Sequence, residues 1–157
     1  MNLLPRRSLL AVAAVVDIAY HARPTPIAAK TLAARHGLPP RHLETLLQVL
    51  VRAGILKGVR GPRGGYELAR ERRRISIADI VRAALGEPED EPEGRAREPN
   101  GKIIPSPLVS EVVTPMIRSA SESFLERLDE ITVDDLCMEA ERRSVFADSR
   151  PTYDFTI

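Results

Sequence analysis

Two arginines in the run RGPRGG, residues 60 to 65, are best placed by their spacing to do chemistry, and that chemistry is charge recognition. Arg60 and Arg63 are separated by Gly61 and Pro62 and followed by Gly64 and Gly65. Such a composition reverses the chain and holds two guanidinium groups at the tip of the reversal, the glycines permitting a turn that a Cβ would obstruct. An arginine there fits the narrow minor groove of a duplex, where negative potential is enhanced. A second set lies just upstream. Leu43, Leu46, Leu47 and Leu50 recur at the three- and four-residue steps of one helical face, which leaves Arg41, His42, Glu44, Thr45 and Gln48 outside that stripe. These are residue types that read base edges: Glu44 can accept from a cytosine amino group and Gln48 can pair with adenine, while Arg41, His42 and Thr45 suit base or phosphate contacts.

Other reactive side chains are sparse. Cys137 is the only cysteine. It excludes an internal disulfide, fits a reducing compartment and predicts a cytoplasmic protein. In a pair of chains it is either a redox sensor or, as is commoner for a lone helical cysteine, a packing residue. His21, His36 and His42 show no ligand spacing, so no metal site is expected. No nucleophile-base pairing and no phosphate loop is present to suggest an enzyme.

The elements that position the two basic sets follow from punctuation. Pro40 fits a first helical position and Gly54 follows the last apolar residue as a stop. Ile55 to Val59 and Tyr66 to Ala69 then read as two strands flanking the RGPRGG tip. Upstream, Thr25 and Pro26 are expected to cap and begin a helix with Ile27, Leu32 and the alanines facing inward, closed by Gly37. A short break at Gly37 to Pro39 before the Leu43 helix gives helix-turn-helix spacing. Helix, turn, helix and basic hairpin together predict a winged helix, with Tyr66 packed under the wing.

The N-terminus carries a twin arginine ahead of an apolar run, the look of an export signal. That run, Leu9 to Val16, is too short to span a bilayer and is interrupted by Asp17. It reads better as a core helix from about Arg6 to His21, with Leu9, Leu10, Ala13, Val16 and Tyr20 at helical spacing. Arg6 and Arg7 then oppose the helix dipole, which points either to a phosphate partner or to two solvated arginines.

Downstream, RERRR at 70 to 74 either lies along phosphates or is a solvated connector. Ser76 or Ile75 leads a short apolar helix of Ile77, Ile80, Val81, Ala84 and Leu85, closed by Gly86 and expected to pack on the first helix. Residues 87 to 105 turn acidic and proline-rich, the signature of a flexible loop. From Val109 to Ile131 one apolar stripe runs through Val112, Val113, Met116, Ile117, Ala120, Phe124 and Leu128. A stripe of that length wants a partner, and self-association is favoured over packing within the chain. Pro115 either kinks this helix or restarts it with Thr114 as cap. Thr132 to Asp135 has the form of a capping box and begins a last helix through about Arg142.

Net charge is only +1, but the sum conceals a division. Residues 1 to 86 hold 15 Lys or Arg against 5 Asp or Glu, and residues 87 to 157 hold 8 against 17. A basic first half suits a polyanion, and the acidic second half a different task; two solvated surfaces would give the same composition.

The order VDIAYHA, then IAAKTLAARHGLPPRHLETLLQVLVRAGILKGVRGPRGGYELAR, then a long helix ending LDEITVDDL, resembles the Rrf-two family of bacterial winged-helix transcription regulators. The resemblance covers nearly the whole chain apart from 87 to 105 and the tail after 143. It implies homodimers crossing through the long helix and binding a pseudo-palindromic operator, usually as repressors. By position, Glu44 matches a recognition-helix residue aimed at a base edge, and Arg60 a wing arginine that reaches the minor groove. Many relatives bind an iron-sulfur cluster through three cysteines in the loop before the long helix; residues 87 to 105 contain none, so no cluster is expected.

The expected fold is therefore mainly α with a small β-hairpin wing. Residues 1–86 form a winged helix-turn-helix, 87–105 a flexible loop, 106–143 dimerisation helices and 144–157 a tail. The expected function is a cluster-free dimeric repressor of transcription with double-stranded DNA as partner, controlled by an effector or partner protein the sequence does not identify. The competing reading is a winged helix used as a protein-interaction scaffold.

Overall fold

A computed structural model describes residues 3–86, 95–97 and 103–146. Among the described residues, six α-helices and two short hairpins alternate with a 3-10 turn and a π-helical segment. In chain order the first elements are α1 (Arg6–His21), α2 (Ala29–His36), α3 (Pro40–Arg52), β1 (Leu56–Val59) and β2 (Gly65–Leu68). A 3-10 turn (Arg72–Arg74) leads to α4 (Ile77–Leu85), β3 (Arg95–Arg97) and β4 (Ile103–Pro105). A π-helical segment (Leu108–Val113) then runs into α5 (Thr114–Asp129), followed by α6 (Val133–Arg142). Among the described residues no helix is long and apolar enough to cross a membrane.

The core is aliphatic and centred on α1, against which α3, α4, α6 and β2 all pack. From α1 the core takes Ala11, Ala14, Val15, Val16 and Ile18, with Leu10 partly buried against it and Leu9 40% exposed. Of the expected face of Leu9, Leu10, Ala13, Val16 and Tyr20, Val16 is in the core and Leu10 on its edge, but Leu9 faces solvent and the face is centred on Ala11, Ala14, Val15 and Ile18. A continuous apolar run has no periodicity from which to read a phase, and a helix surrounded on several sides buries more than one stripe.

The helix-turn-helix closes with two similar stops. Gly37 (φ 60°) ends α2, with Leu38 N–H donating to Ala33 O at 3.0 Å. Gly54 (φ 72°) ends α3, with Ile55 N–H donating to Leu50 O at 3.0 Å. Both have the Schellman pattern, in which a left-handed residue lets a later amide satisfy a last-turn carbonyl. The start of α2 differs from expectation: its first residue is Ala29, and Thr25 and Pro26 neither cap nor open it. Ile27 instead exchanges backbone hydrogen bonds with Tyr66, at 3.0 and 2.8 Å, adding a one-residue third strand to the wing.

A backbone seam joins the second half to the first, beside the packing of α6 on α1. Ile77 N–H donates to Ile131 O and Val133 N–H to Ile75 O, at 2.8 and 2.9 Å, so the chain segments entering α4 and α6 form a small antiparallel bridge at Ser76 and Thr132. Each of those residues is an N-cap in a full capping box, with Asp79 and Asp135 as reciprocal partners. Asp129, at the end of α5, accepts from Ser76 Oγ at 2.6 Å and from Arg82 Nη2 at 2.9 Å.

Pro115 does not restart the long helix. Val113 and Thr114 are both helical, and Thr114 has no capping role. The preceding turns widen to π geometry, which relieves the clash a proline ring makes with the carbonyl four residues back. Of the loop expected at 87 to 105, residues 95–97 and 103–105 pair as an antiparallel hairpin, and the rest lies outside the described residues, as does the tail beyond 146.

Candidate nucleic-acid interface

The stripe of α3 is buried as its spacing requires: Leu43, Leu46, Leu47 and Leu50 all lie in the core. The opposite face carries Arg41, His42, Glu44, Thr45 and Gln48, every one exposed. Thr45 Oγ1 donates back to Arg41 O at 3.1 Å, which fixes its rotamer along the helix and leaves its lone pairs outward.

Glycine lets the wing pack closely on itself and on the segment at Ile27 that leads into α2. A Cβ on Gly65 would lie 2.3 Å from Ile27 O, and one on Gly64 would lie 2.3 Å from Val59 O, so neither position admits a side chain without displacing backbone. Gly61 (φ 116°) opens the tip, and Gly64 N–H closes it on Gly61 O at 2.9 Å. Gln48 and Val51 of α3 then line one open groove of about 460 Å³ together with Val59, Arg60 and Tyr66 of the wing. Arg60 and Gln48 therefore share one surface. Arg63 looks the other way across the tip, toward Thr25 and Thr31 at the start of α2. Tyr66 packs on the core, as expected, with its remaining surface in the groove.

Ion pairing sorts the cations into two groups. Among the described residues Arg6, Arg7, Lys30, Arg41, Arg60 and Arg63 have no acidic partner, while the arginines of RERRR all do. Arg72 Nε lies 2.5 Å and Arg73 Nε 3.1 Å from the carboxylate of Asp134 in α6, and Arg70 reaches Asp79 at 3.6 Å. Two of the run's arginines, Arg72 and Arg73, tie the 3-10 turn to α6, while Arg73 and Arg74 stay largely exposed to solvent.

Two acidic residues that the sequence did not single out organise the structure. Asp134 is one. Asp17 is the other, 1% exposed, with His21 Nδ1 at 2.9 Å, Arg35 Nη1 at 2.5 Å and His36 Nε2 at 3.0 Å. It ties α1 to α2. A lone carboxylate inside an apolar helical run was the available signal, since such a group must find cationic partners elsewhere in the chain.

Cys137 is 1% exposed and its Sγ lies 4.0 Å from Val16 O under α1. Burial pushes its thiol above the usual range. That environment belongs to a packing residue rather than a reactive thiol. One buried cysteine does not make a thiolate cradle, and among the described residues no three His, Cys, Asp or Glu side chains are placed to hold a metal ion. The donor set does not fit a cysteine-ligated iron-sulfur cluster.

Comparison with known proteins agrees with this geometry. Residues 4–139 match Rrf2, described as an iron-dependent transcriptional regulator. The HTH-type transcriptional regulator IscR of Vibrio cholerae is 31% identical over 138 residues, covering 88% of this chain and 76% of that protein. Protein rrf2 of Nitratidesulfovibrio vulgaris is 36% identical over 80 residues, about half of each chain (51% and 53%). Among solved structures, IscR of T. potens superposes with a TM-score of 0.66 at 33% identity, covering 90% of each chain. CymR of B. subtilis, described as its global cysteine regulator, gives 0.62 at 26% identity, covering 88% of this chain and 98% of that one.

Proposed function

This chain belongs to the Rrf2 family of DNA-binding transcriptional regulators, and on that premise we propose that it works as a homodimeric, cytoplasmic repressor without an iron-sulfur cluster, acting by binding rather than catalysis. Each protomer lays α3 in a major groove of a pseudo-palindromic operator, and its wing enters the flanking minor groove. Glu44 and Gln48 read base edges, Arg60 reaches into the minor groove, and Arg41, His42, Thr45 and Arg63 hold register on phosphates and adjacent bases.

The observation that carries this reading is the shared groove of Gln48 and Arg60. A base-reading helix face and an unpaired wing arginine on one surface suit a duplex that presents a major groove beside a minor groove. A scaffold role gains no comparable support. The absence of a thiolate set leaves control of the DNA-bound state to an effector or partner protein.

The test is titration of labelled duplexes spanning the region upstream of the gene, at rising salt. Wild type is expected to bind with affinity that falls steeply with salt. Arg60→Ala with Arg63→Ala is expected to weaken binding at least tenfold with the fold intact. Unchanged affinity in the double variant sinks the reading.

A further inference from the structure

Arg6 and Arg7 are exposed in the first turn of α1, where no acidic residue accompanies them. Each opposes the positive end of the helix dipole, so their placement does nothing for the helix. Neither has an ion-pair partner among the described residues, and both line a cavity of about 530 Å³ with His42 and Thr45 of α3. No acidic side chain lines that cavity. The other end of the same α3 face, at Gln48, opens onto the wing. The reading helix is thus bordered on both sides by unpaired arginines, α1's at its N-terminal half and the wing's at its C-terminal half.

We propose that Arg6 and Arg7 form a third DNA-contacting element, binding phosphates of the backbone that borders the major groove on the side away from the wing. The inference rests on the DNA-binding reading above and deepens it. A duplex seated on α3 with the wing in one minor groove carries its opposite phosphate strand past the mouth of this cavity. Two guanidinium groups without competing carboxylates meet it there. Phosphate contacts of this kind set register and add affinity on any sequence.

The test uses full-length protein with the paired variant Arg6→Ala and Arg7→Ala, both at exposed positions, and Arg23→Ala as a control at the other end of α1. Binding is measured from low to moderate salt on a duplex from the region upstream of the gene and on a scrambled duplex of equal length. Each phosphate contact contributes a slope of about 0.9 in log affinity against log salt. The paired variant is expected to reduce the slope by about 2 per protomer and to lose affinity by a similar factor on both duplexes. Arg6→Lys with Arg7→Lys is expected to keep the slope, and Arg23→Ala to leave it unchanged. If wild type binds DNA and the paired alanine variant keeps its full slope, this inference is overturned while the DNA-binding reading stands. A slope retained together with wild-type binding of decanoate that the variant loses would assign the cavity to a small anionic amphiphile instead, which also overturns it. Wild type that binds neither duplex removes the DNA-binding reading itself.

Discussion

Arg72 Nε lies 2.5 Å from Oδ1 of Asp134, and through that ion pair the turn that follows the wing is bound to the last helix of the chain. Arg73 reaches the other oxygen at 3.1 Å. The seam between α4 and α6 lies just beyond, so the wing, the core and the long helix are coupled at one place. A twofold partner gripping α5 would therefore hold the orientation of both reading helices, with little play between dimer and DNA contact.

Asp134→Ala is expected to destabilise the protein by about 1–3 kcal/mol. That is below the figure for breaking a fully buried pair, because Arg73 is largely exposed and recovers solvation. Urea unfolding reads the loss, and an unchanged midpoint with unchanged slope would show that the seam holds without the ion pair. Spacing should suffer before stability does: the variant is expected to tolerate operators whose half-sites are moved apart by one base pair better than wild type does.

Gly65→Ala tests the wing separately. The new methyl would meet Ile27 O at 2.3 Å, so the bridge between Ile27 and Tyr66 must open and the hairpin must tilt. DNA affinity is expected to fall about tenfold or more, while the far-UV circular dichroism stays close to wild type because the aliphatic core is untouched. Wild-type affinity in this variant would mean that the position of Arg60 is not set by the strand packing.

Helix α3 and the β1–β2 hairpin were legible because their signals are local. Four leucines at helical steps, Pro40 at the start, Gly54 at the end and a glycine-rich tip each act within a few residues of themselves. What escaped was set by tertiary contact. The face of α1 could not be phased from an unbroken apolar run, and the register of α2 was moved three residues by Ile27 joining a strand far along the chain. Asp134, and Asp17 apart from His21 one helical turn on, looked incidental because their partners Arg35, His36, Arg72 and Arg73 lie at distances over which sequence spacing carries no information. The RERRR run was open for the same reason: a charge run shows its sign, but only the fold shows that Asp134 pairs with Arg72 and Arg73.

Cys137 is expected to resist modification. Its thiol is buried against α1 and pushed up by that burial, so iodoacetamide at pH 8 should label it far more slowly in the folded protein than in urea. The same shift has a sign in stability. An unfolded cysteine ionises near pH 8.5 while the folded one keeps its proton. The native state therefore binds more protons there, and stability falls as pH rises through that value and on toward the folded one. Cys137→Ala should lessen this alkaline loss. Rapid labelling of the native protein, or peroxide releasing it from DNA in a way that Cys137→Ala abolishes, would restore the sensor reading.

The long helix gives the last test. Met116 is 70% and Ile117 62% exposed, and Leu108, Val112 and Val113 on the same stretch are also open to solvent. Only toward its C-terminal end, at Leu125 and Leu128, does α5 pack on the core. An apolar stripe anchored at one end and bare at the other is costly in water and is relieved when a twofold copy covers it. Light scattering is therefore expected to give a dimer for wild type and a monomer for Met116→Asp with Ile117→Asp, at nearly unchanged helix content because neither side chain is in the core. The monomer should bind a duplex with two half-sites no more tightly than a duplex with one, since the two reading helices then engage independently. A double variant that remains dimeric would place the subunit contact elsewhere, and the spacing argument made from Asp134 would have to be rebuilt on that other surface.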